Sequence, residues 1–135
     1  MVEWRRFQPT DDFSVLNEIE RVKQIVFPIS YRQTVKAFNH GIPSARLFVA
    51  GPIERMIDRL ISISPSSPPN VLDAIDWVDQ TETGLYIPFA LDPFGSLVCF
   101  RFKSNTEYDV VYIDHETGDV VNICNSFDNF IDHLY

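Results

Sequence analysis

GLYIPFALDPFGSLVCFRFKSNTEYDVVYIDHETGDVVNICNSFDNFIDHLY, residues 84–135, is the stretch that decides the fold. Leu85 to Leu91 is almost wholly apolar and reads as a strand. Asp92-Pro93-Phe94-Gly95 fits a type I turn: Asp bonds its own backbone, Pro presets φ, and Gly closes the turn. The next segment alternates, with Val98, Phe100 and Phe102 on one side and Leu97, Cys99, Arg101 and Lys103 on the other. Ser104-Asn105-Thr106-Glu107 breaks it. Val110 to Ile113 is a further strand, rich in β-branched and aromatic side chains. Glu116-Thr117-Gly118-Asp119 is a short hairpin loop in which Gly118 is free to take positive φ. Val120 to Cys124 return. Ser126 then caps a helix whose Phe127, Phe130, Ile131 and Leu134 share one face, with Asp128 in the first turn where the helix dipole favours an acid. A strand meander followed by a docked helix is an α+β pattern.

Upstream, Met1 to about Asp12 reads as an N-terminal arm carrying Trp4 and Phe7. Asp11, Asp12 or Ser14 can cap a helix running to about Val26, with Leu16, Ile19, Val22 or Lys23, and Val26 as its stripe. Pro28 ends it. Ser30 can cap a second helix carrying Tyr31, Val35 and Phe38, which stops at Asn39-His40-Gly41. Leu47 to Ala50 is a short strand. Arg55 to Ile63 reads as a strand or a short helix, and a helix turn leading into a strand is expected. Ser64 to Pro69 is a loop too short to link domains. Asn70 to Gln80 is expected to be a helix with Leu72, Ile75 and Val78 inward, which sets Asp73, Asp76 and Asp79 along one outward ridge beside Trp77. With 135 residues and eleven Phe, the chain is expected to form one domain, residues 1–135: a mainly antiparallel sheet backed by the N-terminal helices and a C-terminal helix.

Charge divides the chain in two. Residues 1–67 carry nine Lys/Arg against seven Asp/Glu, a balance of +2, whereas residues 68–135 carry two against twelve, a balance of −10. The acidic half is unsuited to nucleic acid, whose phosphates need Lys and Arg, and suits a basic partner protein. Acidic surface also serves mere solubility. The opening MVEWRRFQPT has no apolar h-region, so no signal peptide is expected. No apolar run approaches the ~18 residues of a membrane span. Cys99 and Cys124 are accordingly expected as free thiols in a cytoplasmic protein.

Residues with catalytic potential form no constellation. His40, His115 and His133 are far apart in sequence, and His115-Glu116 sits in a turn rather than on a metal-binding helix. Cys99 lies inside a strand, which is poor ground for a nucleophile. The five glycines make no phosphate loop. Neither a metal nor a cofactor is expected.

The run IERVKQIVFPISYRQTVKAFNHG, residues 19–41, resembles the opening signature of the SUKH superfamily, which contains fungal cell-wall-assembly regulators and many bacterial immunity proteins. That signature has Glu in the first helix, Pro eight residues on, Tyr three further, and Asn-Gly-Gly eight after the Tyr. Glu20, Pro28, Tyr31 and Asn39 match; His40 replaces the first glycine and Gly41 keeps the second. IPFALDPFGSLVCF is similar to the family's Asp-Gly-x-Gly-Asn segment, with Pro93 and Ser96 departing from it, and Arg101 stands where the family often has an acid. VVYIDHETGDVVNICNSFDNFIDHL resembles its closing segment. The resemblance, over about residues 15–135, implies an α+β domain without enzymatic activity. For a bacterial member it implies an immunity protein that neutralises a toxin, often a nuclease, by binding it; the alternative is a regulatory or scaffolding module without a toxin partner. The expected contacts are acids on exposed turns and ridges, namely Asp76, Asp79, Glu82, Asp92, Glu116 and Asp119, with Trp77 as an aromatic anchor.

Overall fold

The computed structural model describes residues 2–80 and 84–135. In chain order the elements are β1 (Trp4–Arg5), α1 (Ser14–Lys23), α2 (Ile29–Phe38), β2 (Ile42–Pro43), β3 (Leu47–Ala50), β4 (Ile53–Met56), β5 (Arg59–Leu60), α3 (Val71–Ile75), β6 (Leu85–Leu91), β7 (Leu97–Phe102), β8 (Tyr108–Ile113), β9 (Val120–Cys124) and α4 (Phe127–Asp132). Strands β5 to β9 form a five-stranded sheet in sequence order, every neighbour antiparallel. Two two-stranded ribbons, β1–β2 and β3–β4, stand beside it. The α+β expectation holds.

The alternation in β7 sorts its side chains between two apolar clusters. Val98, Phe100 and Phe102 join the main core with Tyr31 and Phe27 from the helical side and Phe127 and Phe130 from α4. Tyr31 meets the Phe100 ring edge-on at 5.0 Å and the Phe127 ring at 5.3 Å. Leu97 and Cys99 face the other way, with Tyr86 and Val111. That second face ends in charge: Arg101 donates to Asp109 across the β7–β8 pair at 2.9 and 2.6 Å, and Asn122 adds a bond at 2.8 Å. Burial by itself raises the Asp109 carboxyl, but the Arg101 bonds outweigh it and the net shift is downward.

The family-like residues of the N-terminal half act as fasteners. The Glu20 carboxylate accepts from the Phe27 N–H at 2.8 Å and from Arg32 at 2.6 Å, which closes the α1–α2 turn. Pro28 is the residue before α2, in extended conformation. Asn39 is buried, and its side-chain oxygen accepts from the Ile63 N–H at 2.8 Å. A Cβ on Gly41 would lie 2.7 Å from the Phe38 carbonyl oxygen, so only glycine fits without displacement.

Four local readings need correction. Helix α1 stops at Lys23, not Val26, because Gln24 turns into the left-handed region and donates to the Glu20 carbonyl. This leaves Val22 and Val26 exposed and sends Ile25 and Phe27 into the core instead. Helix α2 is preceded by Pro28 and includes Ser30, which makes no side-chain cap. Arg55 to Ile63 holds no helix turn: Arg55 and Met56 end β4, which turns back on β3 through Gly51 at φ 61°, and Arg59 and Leu60 form β5 beside β6. Helix α3 is five residues long, with Val71, Ala74 and Ile75 buried and Leu72 exposed. Asn70 and Asp73 form a capping box, so Asp73 is bound to its helix N-terminus and the three-Asp ridge does not form.

Phe130 is 2% exposed and packs against Phe48 and Phe89. Phe130→Ala is expected to cost about 3–5 kcal/mol in chemical denaturation, as for other buried aromatics; a loss under about 1 kcal/mol would mean that α4 does not dock as described. The lowered Asp109 carboxyl contributes stability that is present above the ordinary carboxylate range and is lost as pH falls through its folded value. Asp109→Asn is therefore expected to flatten the acid limb of the stability–pH curve, and an unchanged limb would assign acid lability elsewhere.

Candidate functional site

Three segments meet over the second face of the sheet and enclose an open groove of about 540 Å³. Its floor is aliphatic: Leu91, Leu97, Ile113 and Val120, with Tyr86 and Val78. Each wall is a tight turn or helix end fixed by its own hydrogen bonds.

The first wall follows α3. The Trp77 N–H donates to the Ala74 carbonyl at 3.0 Å and the Val78 N–H to Ile75 at 3.3 Å, which carries the chain from the helix onto the sheet. The Gln80 side chain then bonds β6 twice, accepting from the Tyr86 N–H at 2.8 Å and donating to the Tyr86 carbonyl at 3.0 Å. Trp77 is left 48% exposed beside Asp79, and both line the groove.

The second wall is the β6–β7 turn. Asp92 is 6% exposed, so it is not the surface acid that its turn position implies. One carboxylate oxygen accepts from the Phe94 N–H at 2.6 Å and the Ser96 N–H at 3.1 Å; the other accepts from the Tyr112 hydroxyl at 2.9 Å. The carboxylate is thus the internal brace of the turn. Its consequence is the outward stance of Phe94, 78% exposed at the tip, beside Gly95 at φ 97°.

The third wall is the β8–β9 turn. Asp114 accepts from the Glu116 N–H at 2.8 Å and the Thr117 N–H at 3.4 Å, and lies 3.6 Å from Arg55. The Glu116 N–H foremost, with Thr117 and Arg55, holds the Asp114 carboxyl below its ordinary value despite some desolvation. Gly118, at φ 75°, donates to the Asp114 carbonyl at 2.7 Å. The second and third walls are clasped together: the Ser96 hydroxyl accepts from the His115 N–H at 3.1 Å and sits 3.1 Å from His115 Nδ1.

Of the acids read from the sequence, Asp79 lines the groove together with Trp77. Asp76 is exposed next to Trp77, and Glu116 and Asp119 are exposed on the third wall, flanking the groove-lining Gly118. Asp92 is inside. Glu82 lies outside the described residues. Sequence reasoning missed Asp114, His115, Phe94 and Val120. A phenylalanine at the third place of an Asp-Pro-Phe-Gly turn is a readable signal, since that position faces solvent.

The groove offers an apolar floor, an exposed indole and carboxylates. Burial pushes the Cys99 thiol well above its ordinary value, away from nucleophilic use. Among the described residues no His, Cys, Asp or Glu cluster is placed to hold a metal ion, and no helix is long and apolar enough to cross a membrane. A family model described as SMI1-KNR4 cell-wall matches residues 14–131. No curated protein and no solved structure matches the chain.

Removing the Asp92 carboxylate strands two backbone donors and a buried tyrosine hydroxyl. Asp92→Ala is expected to lower stability by more than about 2 kcal/mol in urea denaturation, each unsatisfied buried group costing about 1–3 kcal/mol. A loss below about 0.5 kcal/mol would show that the carboxylate does not brace the turn.

Proposed function

Because the chain belongs to the SUKH superfamily, through the SMI1-KNR4 cell-wall family that it matches over residues 14–131, we propose that it is an immunity protein that binds and neutralises a cognate bacterial toxin. The family is consistent with that role. The partner we propose is a basic nuclease domain, acting in the cytoplasm, and the binding surface is the groove rimmed by Asp76, Trp77, Asp79, Glu116 and Asp119. Neutralisation by this route is binding alone, without cofactor, metal or catalysis.

The observation that carries the reading is where the charge lies. Both cations of the acidic half, Arg101 and Lys103, are drawn to Asp109, at 2.6 and 3.7 Å. The groove end of the sheet keeps its acids around an apolar floor. A hydrophobic patch with a charged rim and exposed aromatics is the make-up of a protein interface. A nuclease surface that grips phosphates is basic, and burying it under this rim would deny it to nucleic acid.

The test is rescue of cells that express a candidate toxin domain, taken from a toxin gene adjoining the one for this chain. Wild type is expected to rescue. Changing Asp76, Asp79 and Asp119 together to Lys is expected to weaken binding by roughly several kcal/mol with the fold intact, because like charges then face each other. Association of the wild type should slow steeply as ionic strength rises. Full rescue by the triple variant would remove this face from the mechanism. Failure of the wild type to rescue would leave the chain as a regulatory or scaffolding module.

A further inference from the structure

The groove is more specific than a charged patch. Its floor is aliphatic, supplied by Leu91, Ile113 and Val120. At one side stand an exposed indole, Trp77, and a carboxylate, Asp79; at the other stands Asp114, which accepts from the N–H groups of its own turn. An ammonium or guanidinium group needs carboxylates. An aliphatic stem needs a floor on which it can lie out of water. An indole face attracts a cation, and a planar guanidinium best of all because it also stacks. A volume of about 540 Å³ exceeds one side chain and has room for a neighbouring apolar residue. Phe94, exposed next to the groove-lining Gly95 in the turn that Asp92 braces, is a further apolar surface nearby.

We propose that the groove is a socket for an arginine on an apolar loop of a partner protein: its guanidinium lies between Trp77, Asp79 and Asp114, and its stem on Ile113 and Val120. This rests on the reading of the groove as a protein-docking site, and it names the side chain that the site takes. Charge complementarity selects the occupant. Among the described residues Asp79 has no ion-pair partner and is the open acceptor for an entering guanidinium, whereas Asp114, which already accepts from the Glu116 and Thr117 N–H groups and faces Arg55 at 3.6 Å, adds negative charge from the opposite wall.

The probe is the peptide acetyl-Gly-Leu-Arg-Leu-Gly-amide, titrated into the isotopically labelled full chain and followed by amide and indole NMR shifts. The control is the same peptide with citrulline, which keeps the shape and loses the charge. Saturable shifts are expected at the Trp77 indole N–H and the Gly95, His115 and Gly118 amides. The Trp4 indole, stacked on Phe38 at 5.8 Å in the N-terminal ribbon, should stay still and serves as the internal reference. The citrulline peptide is expected to bind about tenfold more weakly, the worth of one cation–π contact. Trp77→Ala, at an exposed position, should reduce the arginine preference without altering thermal stability. Equal shifts from both peptides, or shifts spread over the acidic surface without Trp77, overturn the socket. So does the lack of any shift at millimolar peptide. Rescue by the wild type together with peptide failure removes the socket and keeps the immunity role; peptide binding without rescue does the reverse.

Discussion

The central strands of the sheet carry apolar side chains on both faces, and the rest of the structure follows from the need to cover them. Strand β7 has Val98, Phe100 and Phe102 on one side and Leu97 and Cys99 on the other, all buried. A strand of this kind cannot face water on either side. The N-terminal helices and α4 cover most of the first face and bring aromatic rings into one continuous cluster. The second face receives less. One end is closed by the Arg101–Asp109–Asn122 network and the middle by Val78 and its neighbours. The end near the two turns is only partly roofed. The groove is what a short α3 leaves uncovered, and its apolar floor is the second face of the sheet itself.

Much of this was legible in the sequence because it is local. Period-two alternation in 97–102, the Asp-Pro-Phe-Gly turn and the Ser126 cap each depend on near neighbours, and each sits where the sequence places it. The Glu20, Pro28, Tyr31 and Asn39 spacing is likewise structural: Glu20 closes a turn, Tyr31 fills the core, Asn39 bonds the Ile63 backbone. None of these residues lines the groove. The readings that failed depend on distant partners. Val26 looks like a helix-stripe residue until Gln24 turns left-handed and the Val26 N–H bonds the Asn105 carbonyl. Residues 55–63 look ambiguous until β3 lies beside Arg55 and Met56 and β6 beside Arg59 and Leu60. Asp92 looks like a surface acid until Tyr112, twenty residues on, reaches its carboxylate. The assembly of 76–79, 94–96 and 114–119 around one hollow has no trace in sequence spacing.

The core carries an imperfection of its own. Among the described residues the Tyr31 hydroxyl is buried without a hydrogen-bond partner, amid Phe27, Phe89, Phe100 and Phe127. Burial drives that phenol far above its ordinary pKa, so it stays neutral. An orphaned buried hydroxyl costs about 1–3 kcal/mol, against which the ring contacts of a large aromatic are favourable. Arg55 is a second case: its Nε is buried without a partner while its guanidinium lies 4.8 Å over the Tyr112 ring and 3.6 Å from Asp114. Tyr112 and Asp114 belong to the strand and turn that build the groove, so the cost of burying Arg55 is offset where the third wall is anchored.

The distribution of charge sets folding against recognition. Twelve acids against two bases in residues 68–135 repel one another in the folded state. A chain selected for stability alone would place its cations among them. Here Arg101 and Lys103 are instead both turned to Asp109, a carboxylate that burial makes expensive to leave unpaired. With both cations held there, Asp76, Asp79, Glu116 and Asp119 on the groove rim are without compensating ion pairs among the described residues. Their mutual repulsion is a modest cost in water, where screening is strong. Were a basic partner to close over the groove as proposed, the same acids would be paired in a drier setting. On the proposed reading, the uncompensated rim is the part of the surface whose acids a basic partner would pair.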